Sequence, residues 1–140
     1  MKIGAALVVS AIFVVLALWH FVMAMRSGSG VSGAVPSVDG KPLFVPSRLA
    51  TVAVGVALVL FACLVAATAG VIATGVPQTV LRWLSFALAA GLFARAVGEF
   101  KYVGFFKRVR GSRFATLDTL VYSPLCVLLG AGVALVAIAD

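Results

Sequence analysis

The sequence predicts an all-α membrane protein: a four-transmembrane-helix up-down bundle, with a short cytoplasmic amphipathic helix between helices 3 and 4. Three observations predict it. Of the 140 residues 64% are hydrophobic and 11% charged, and the mean hydropathy of +1.23 lies far above that of a soluble domain. Apolar segments run over about 3–25, 49–73, 80–100 and 119–139, each reaching the roughly 20 residues that about 30 Å of hydrocarbon requires. Strand-like alternation is absent, and lipid leaves backbone polar groups no outside partner, so the segments must be helices. The length fits a single integral membrane domain over 1–140.

The first segment follows Lys2 and is longer than the core of a signal peptide. No convincing small-x-small cleavage site follows it, so it is expected to remain as a helix of the mature protein. In the second, Ser47 after Pro46 suits an N-cap, and Gly70, Gly75 and Pro77 mark the exit and the turn beyond. In the fourth, Ser123-Pro124 reads as an N-cap followed by proline at the first helical position. The regular helix is then expected to begin there, with Asp118 and Tyr122 at the membrane surface. Short connections make the up-down arrangement the default.

Charge sets the orientation. The first and third loops carry Arg26, Lys41, Arg48, Lys101, Lys107, Arg108, Arg110 and Arg113, against Lys2 and Arg82 on the other side. This excess predicts two cytoplasmic loops and both termini outside. The formal net charge of +7 does not suggest nucleic acid, because the cations lie at the ends of apolar segments, where anionic lipid headgroups are the partner. Cys63 and Cys126 sit singly in apolar segments, about 10 Å apart in depth, and read as packing residues rather than a disulfide or metal pair. Ala62, Ala66 and Gly70, and Ala90, Ala94 and Gly98, recur at fourfold spacing and are expected to let helices approach within the bundle.

Polar residues gather at one depth. Arg95 and Glu99 are four apart on one face of the third helix and can pair. His20, Thr51, Asp118, Tyr122 and Ser123 reach the same layer, just inside the cytoplasmic boundary. A charge inside a span costs about 2.5 to 3.5 kcal/mol at the centre and less at the edge. Arg95 and Glu99 could therefore simply neutralise each other while snorkelling to the interface, with His20 bonded to a neighbour. The functional alternative is a polar cavity in which Arg95 holds an anionic or carbonyl-bearing head group and Glu99 or His20 handles a proton.

After this layer, Tyr102, Phe105, Phe106 and Val109 follow i, i+3, i+4, i+7 spacing, which predicts an amphipathic helix lying on the membrane. Lys101, Lys107, Arg108, Arg110 and Arg113 are its expected lipid headgroup contacts, with Gly111 as the stop. The other long loop, Val31 to Ser47, carries Asp39-Gly40 between short apolar runs and predicts a tight hairpin, or an extended lid if Pro36, Pro42 and Pro46 prevent pairing. It is expected to cover the bundle mouth. No P-loop, HExxH, GxSxG or dinucleotide glycine pattern occurs, and one histidine cannot supply a bis-histidine haem, so neither cofactor nor metal is expected.

The segments ALWHF, AVPSVDGKPLFVPSRLAT and RAVGEFKYVGFFKRVRGSRFATLDTLVYSPLCVLL resemble a family of small four-helix bacterial membrane proteins, domain of unknown function 3995. The resemblance implies a bacterial inner-membrane protein and supplies no activity. Three functions stay open: a protein that binds a lipid-like or anionic head group or a partner at the polar layer; a small membrane enzyme acting on a lipid, isoprenoid or quinone head group; and a minimal transporter, for which the outer half looks too apolar. The oligomeric state is not legible in the sequence.

Overall fold

The computed structural model describes residues 1–26 and 34–139. Its helices are α1 (Lys2–Met25), α2 (Arg48–Thr68), α3 (Gln78–Val97), α4 (Arg113–Leu117) and α5 (Ser123–Ile138), with a π-helical turn at Asp118–Tyr122 joining the last two. Helix α4, the turn and α5 form one continuous span, so the chain has four helices long and apolar enough to cross a membrane. It is a multi-pass membrane protein.

Neighbours in sequence pack side by side. Helix α1 lies chiefly on α2, and α3 chiefly on α5, while α1 also meets α5 and α2 meets α3. Helices α1 and α2 are antiparallel: Arg48 Nε donates to Ala24 O at 2.7 Å at one end, and Ser10 Oγ to Ala62 O at 3.1 Å farther along. The core runs through Phe13, Val65, Val133 and Val136, with Ala6, Ala62 and Ala89 between them. Lipid gives apolar residues no reason to prefer one another, so close fit holds such a bundle together. A methyl added at Gly55 would stand 2.6 Å from Phe21 Cε1, and one at Gly132 2.6 Å from Val9 Cγ2. The stripe on α3 behaves differently: Ala89 and Ala96 are buried, whereas Ala90 and Ala94 are exposed. Trp19, near the end of α1, and Trp83, near the start of α3, are also exposed. They lie toward opposite ends of the bundle, as in an aromatic belt.

Helix ends follow local chemistry. Ser47 Oγ accepts from Ala50 N at 3.1 Å and starts α2. Gly70, at φ 76°, ends it, with Gly70 N–H bonded to Ala67 O and Val71 N–H to Ala66 O, both at 2.9 Å. That pattern satisfies two orphan carbonyls, which is why α2 stops short of residue 73. Likewise Gly98, at φ 85°, closes α3 before residue 100.

Two expectations are corrected. The last span begins not at Ser123 but ten residues earlier, where Ser112 Oγ accepts from Ala115 N at 3.0 Å. Pro124 instead marks the π-helical turn: it has no N–H to donate, its ring would crowd the carbonyl four residues back, and a wider turn relieves both. Ser123 N–H accordingly bonds to Asp118 O, five residues back. The amphipathic helix expected over Tyr102–Val109 does not form. Residues 98–112 are turns and bends, because Gly98 and Gly104 adopt φ 85° and 89° and a helix cannot run through such a conformation.

The hairpin expected at Asp39-Gly40 does form. Strands β1 (Ser37–Val38) and β2 (Lys41–Pro42) pair antiparallel, and Asp39 and Gly40 take φ 51° and 74°, the positive pair that a two-residue turn favours. Of this loop, residues 31–33 lie outside the described residues. Val35 is buried, but Val38, Leu43, Phe44 and Val45 are exposed.

Candidate functional site

The bundle end that carries the hairpin and residues 98–112, here the loop end, gathers its charge around one carboxylate. Asp118 opens the π-helical turn and is wholly buried. Its Oδ1 accepts from Arg95 Nη2 on α3 at 2.8 Å. Its Oδ2 accepts from Gly104 N at 2.7 Å and from Lys107 Nζ at 3.0 Å. Lys107 Nζ also donates to Gly104 O at 2.9 Å and to Thr119 Oγ1 at 2.6 Å. All three ammonium protons are thereby used, which is the condition for burying a lysine.

The same carboxylate shapes the loop. With Gly104 N–H and Lys107 drawn in to Asp118, and Phe105 N–H bonded to Ala96 O at 2.8 Å, residues 98–112 fold back over the end of α3. The approach is so close that a methyl at Gly104 would stand 2.6 Å from Gly98 Cα. Only glycine fits both the space and the left-handed backbone. Phe100 is held at φ 66° without being glycine, a conformation that costs about 1–2 kcal/mol.

The structure separates the residues of the expected polar layer. Arg95 pairs with Asp118, 23 positions away, and not with Glu99, whose Oε1 accepts from Tyr102 N at 2.9 Å. The helix ends at Val97 and Gly98 turns the chain, so Glu99 is no longer one helical turn beyond Arg95. His20 Nδ1 sits 2.7 Å from Leu16 O of its own helix. Helices α1 and α3 stand diagonally in the bundle without substantial contact, and His20 therefore does not join Arg95. Thr51 Oγ1 donates to Ser47 O at 3.1 Å within its own first turn. Tyr122 packs its ring on Phe114 at 6.0 Å between centroids. Ser123 is buried beside the knot, one turn past Asp118. Among the expected headgroup contacts, Lys101, Arg108, Arg110 and Arg113 are exposed. Lys107 is the correction: its ammonium is buried, because it neutralises Asp118.

Two polar atoms stand out. Among the described residues, Arg95 Nη1 and Ser123 Oγ are buried without a hydrogen-bond partner. A buried donor left unmatched costs about 1–3 kcal/mol, more for a charged group, so each asks for a physical reason. The knot also sets two cations, Arg95 and Lys107, on a single carboxylate. Beside it, a shallow groove of about 280 Å³ is lined by Lys107, Arg110, Gly111, Ala115, Thr116, Thr119 and Leu120. Sequence reasoning missed Gly104 and Thr119 as partners; the signal for the first was a second glycine six residues after the helix-ending Gly98. No group of three or more His, Cys, Asp or Glu side chains that could hold a metal occurs among the described residues.

The sequence model of the family described as Protein of unknown function (DUF3995) matches residues 13–133. The chain belongs to that family. No curated protein and no solved structure matches it.

Proposed function

We propose that this DUF3995 protein binds an anionic lipid head group at the loop end of its bundle, with Arg95 as the anchoring residue. The observation that carries the reading is the charge count of the buried knot: two cations share one carboxylate, and Arg95 Nη1 lies buried without a partner. A guanidinium presents several donors in a fixed fork, so Arg95 can hold Asp118 through Nη2 and a second anion through Nη1 without breaking the first pair. Its side chain as a whole is 36% exposed while Nη1 itself is buried, so a second anion would meet Nη1 through a small shift of the guanidinium toward the surface. Asp118 is then a positioning residue, orienting Arg95 and keeping Lys107 in the loop.

In the same reading the loop end faces the cytoplasm, on the strength of its excess of lysine and arginine. The ligand is then a lipid of the inner leaflet. Binding is favoured over catalysis because His20 and Glu99 are each tied to nearby backbone and do not converge on Arg95.

Native mass spectrometry of the purified protein, titrated with phosphatidylglycerol and with phosphatidylcholine, tests the reading. The protein should retain phosphatidylglycerol in preference. Arg95→Lys keeps a cation for Asp118 but removes the fork, and should weaken that retention by about tenfold, the worth of one charge-assisted hydrogen bond. Equal retention of both lipids, or retention unchanged in Arg95→Lys, would overturn the proposal.

A further inference from the structure

The knot turns one side of residues 98–112 inward, and what remains outside is a distinct surface. Phe100 and Phe106 are 54% and 63% exposed, and their ring centroids are 6.5 Å apart. The same segment exposes the cations Lys101, Arg108 and Arg110. Lys101 and Arg108 are joined through the backbone, Arg108 N–H to Lys101 O at 3.2 Å. The exposed acid of the segment, Glu99, is occupied by Tyr102 N–H. Two adjacent exposed rings in a segment that also exposes three cations fit neither a water-facing loop nor a helix interface.

The neighbouring span indicates what the rings meet. Leu120, in the first turns of the last membrane helix, is 70% exposed and lines the same groove as Arg110. An exposed leucine on a spanning helix faces acyl chains, so the loop borders lipid directly. Phe100 is held in its left-handed backbone conformation while its ring points out. Such strain persists only where the surroundings impose it, and it is commonest at functional surfaces.

We infer that residues 98–112 form a membrane-surface wedge, with Phe100 and Phe106 dipped into the acyl boundary of an anionic leaflet and Lys101, Arg108 and Arg110 among its head groups. Aromatic rings at that depth and cations among anionic headgroups are each favourable, and together they select a negatively charged bilayer surface over a neutral one. The amphipathic character read from residues 101–110 is thus delivered by a folded loop instead of a helix. The wedge touches bulk lipid and does not use Arg95, so it stands or falls apart from the head-group site.

Tryptophan fluorescence in vesicles tests it. In a Trp19→Phe/Trp83→Phe background, Phe106→Trp reports from the wedge, and Phe100→Trp is the second reporter should the first disturb folding. Lipid brominated near the carbonyl end of its chains should quench the reporter at least twofold more strongly in vesicles containing phosphatidylglycerol than in phosphatidylcholine alone. Lys101→Gln/Arg108→Gln/Arg110→Gln should abolish that difference, whereas Arg95→Lys should leave it intact. Water-exposed emission without quenching would overturn the wedge and mark the surface as a docking face for a soluble protein. Equal quenching in both vesicles would overturn the assignment to an anionic leaflet.

Discussion

The two ends of the bundle each bury a polar cluster between helices, and they do so by opposite means. At the end bearing the 69–77 turn, Thr68 and Ser85 are both wholly buried. Their hydroxyls meet at 2.9 Å, Thr68 Oγ1 also donates toward Leu64 O at 2.8 Å, and Gln78 Nε2 donates to Thr68 O at 2.8 Å. This cluster is neutral and its oxygens are matched. At the loop end, Arg95, Lys107 and Asp118 form a charged knot with a surplus cation and an unmatched Arg95 Nη1. A satisfied neutral cluster serves to hold α2 on α3. An unbalanced charged one is costly as pure architecture, and it is intelligible where a further anion completes it.

Substitutions at both ends can break or sharpen that contrast. The largest effect belongs to Asp118→Ala, which strands two cations and releases Gly104 N–H; thermal unfolding in detergent should show a loss of about 3–5 kcal/mol, as for other broken buried pairs. A loss below that of any hydroxyl substitution at the other end would mean that the knot does not organise the loop. Gly104→Ala comes next. Its left-handed backbone and the collision with Gly98 Cα predict about 2–4 kcal/mol in the same assay, together with faster amide exchange across 98–112.

At the neutral end Thr68→Val should cost about 1–3 kcal/mol, because Ser85 Oγ is left without its partner. The double change Thr68→Val/Ser85→Ala should cost less than the two single changes added, which a double-mutant cycle measures directly. Smallest of all is Ser123→Ala. Its buried hydroxyl has no partner to lose, so stability should stay within about 1 kcal/mol of the parent or rise. A large loss there would reveal a hydrogen bond at Ser123 and weaken the case for an unbalanced site.

The unequal legibility of the molecule follows the same division. The four spans, the Ser47 cap, the glycine exits and the Asp39-Gly40 hairpin depend on residues close in sequence, and local rules read them well. Arg95 could be seen as an anomaly in an apolar run, but its partner could not. Glu99 was in helical register with Arg95, and only the break at Gly98 removes it. Asp118 becomes the partner because α3 and the last span pack side by side, a fact of tertiary structure. The pattern over Tyr102–Val109 misled for a related reason. Apolar spacing says which residues would share a face if the backbone were helical, and Gly104 at φ 89° shows that it is not. Lys107, one cation among several in the sequence, is singled out only by the fold that brings it to Asp118.

The central claim is that the charged end is a head-group site and the neutral end is not. Phosphatidylglycerol retention measured side by side by native mass spectrometry for Arg95→Lys and Thr68→Val tests it most directly. The account predicts about tenfold weaker retention in Arg95→Lys and parental retention in Thr68→Val. Parental retention in Arg95→Lys, or an equal loss in both variants, would contradict it.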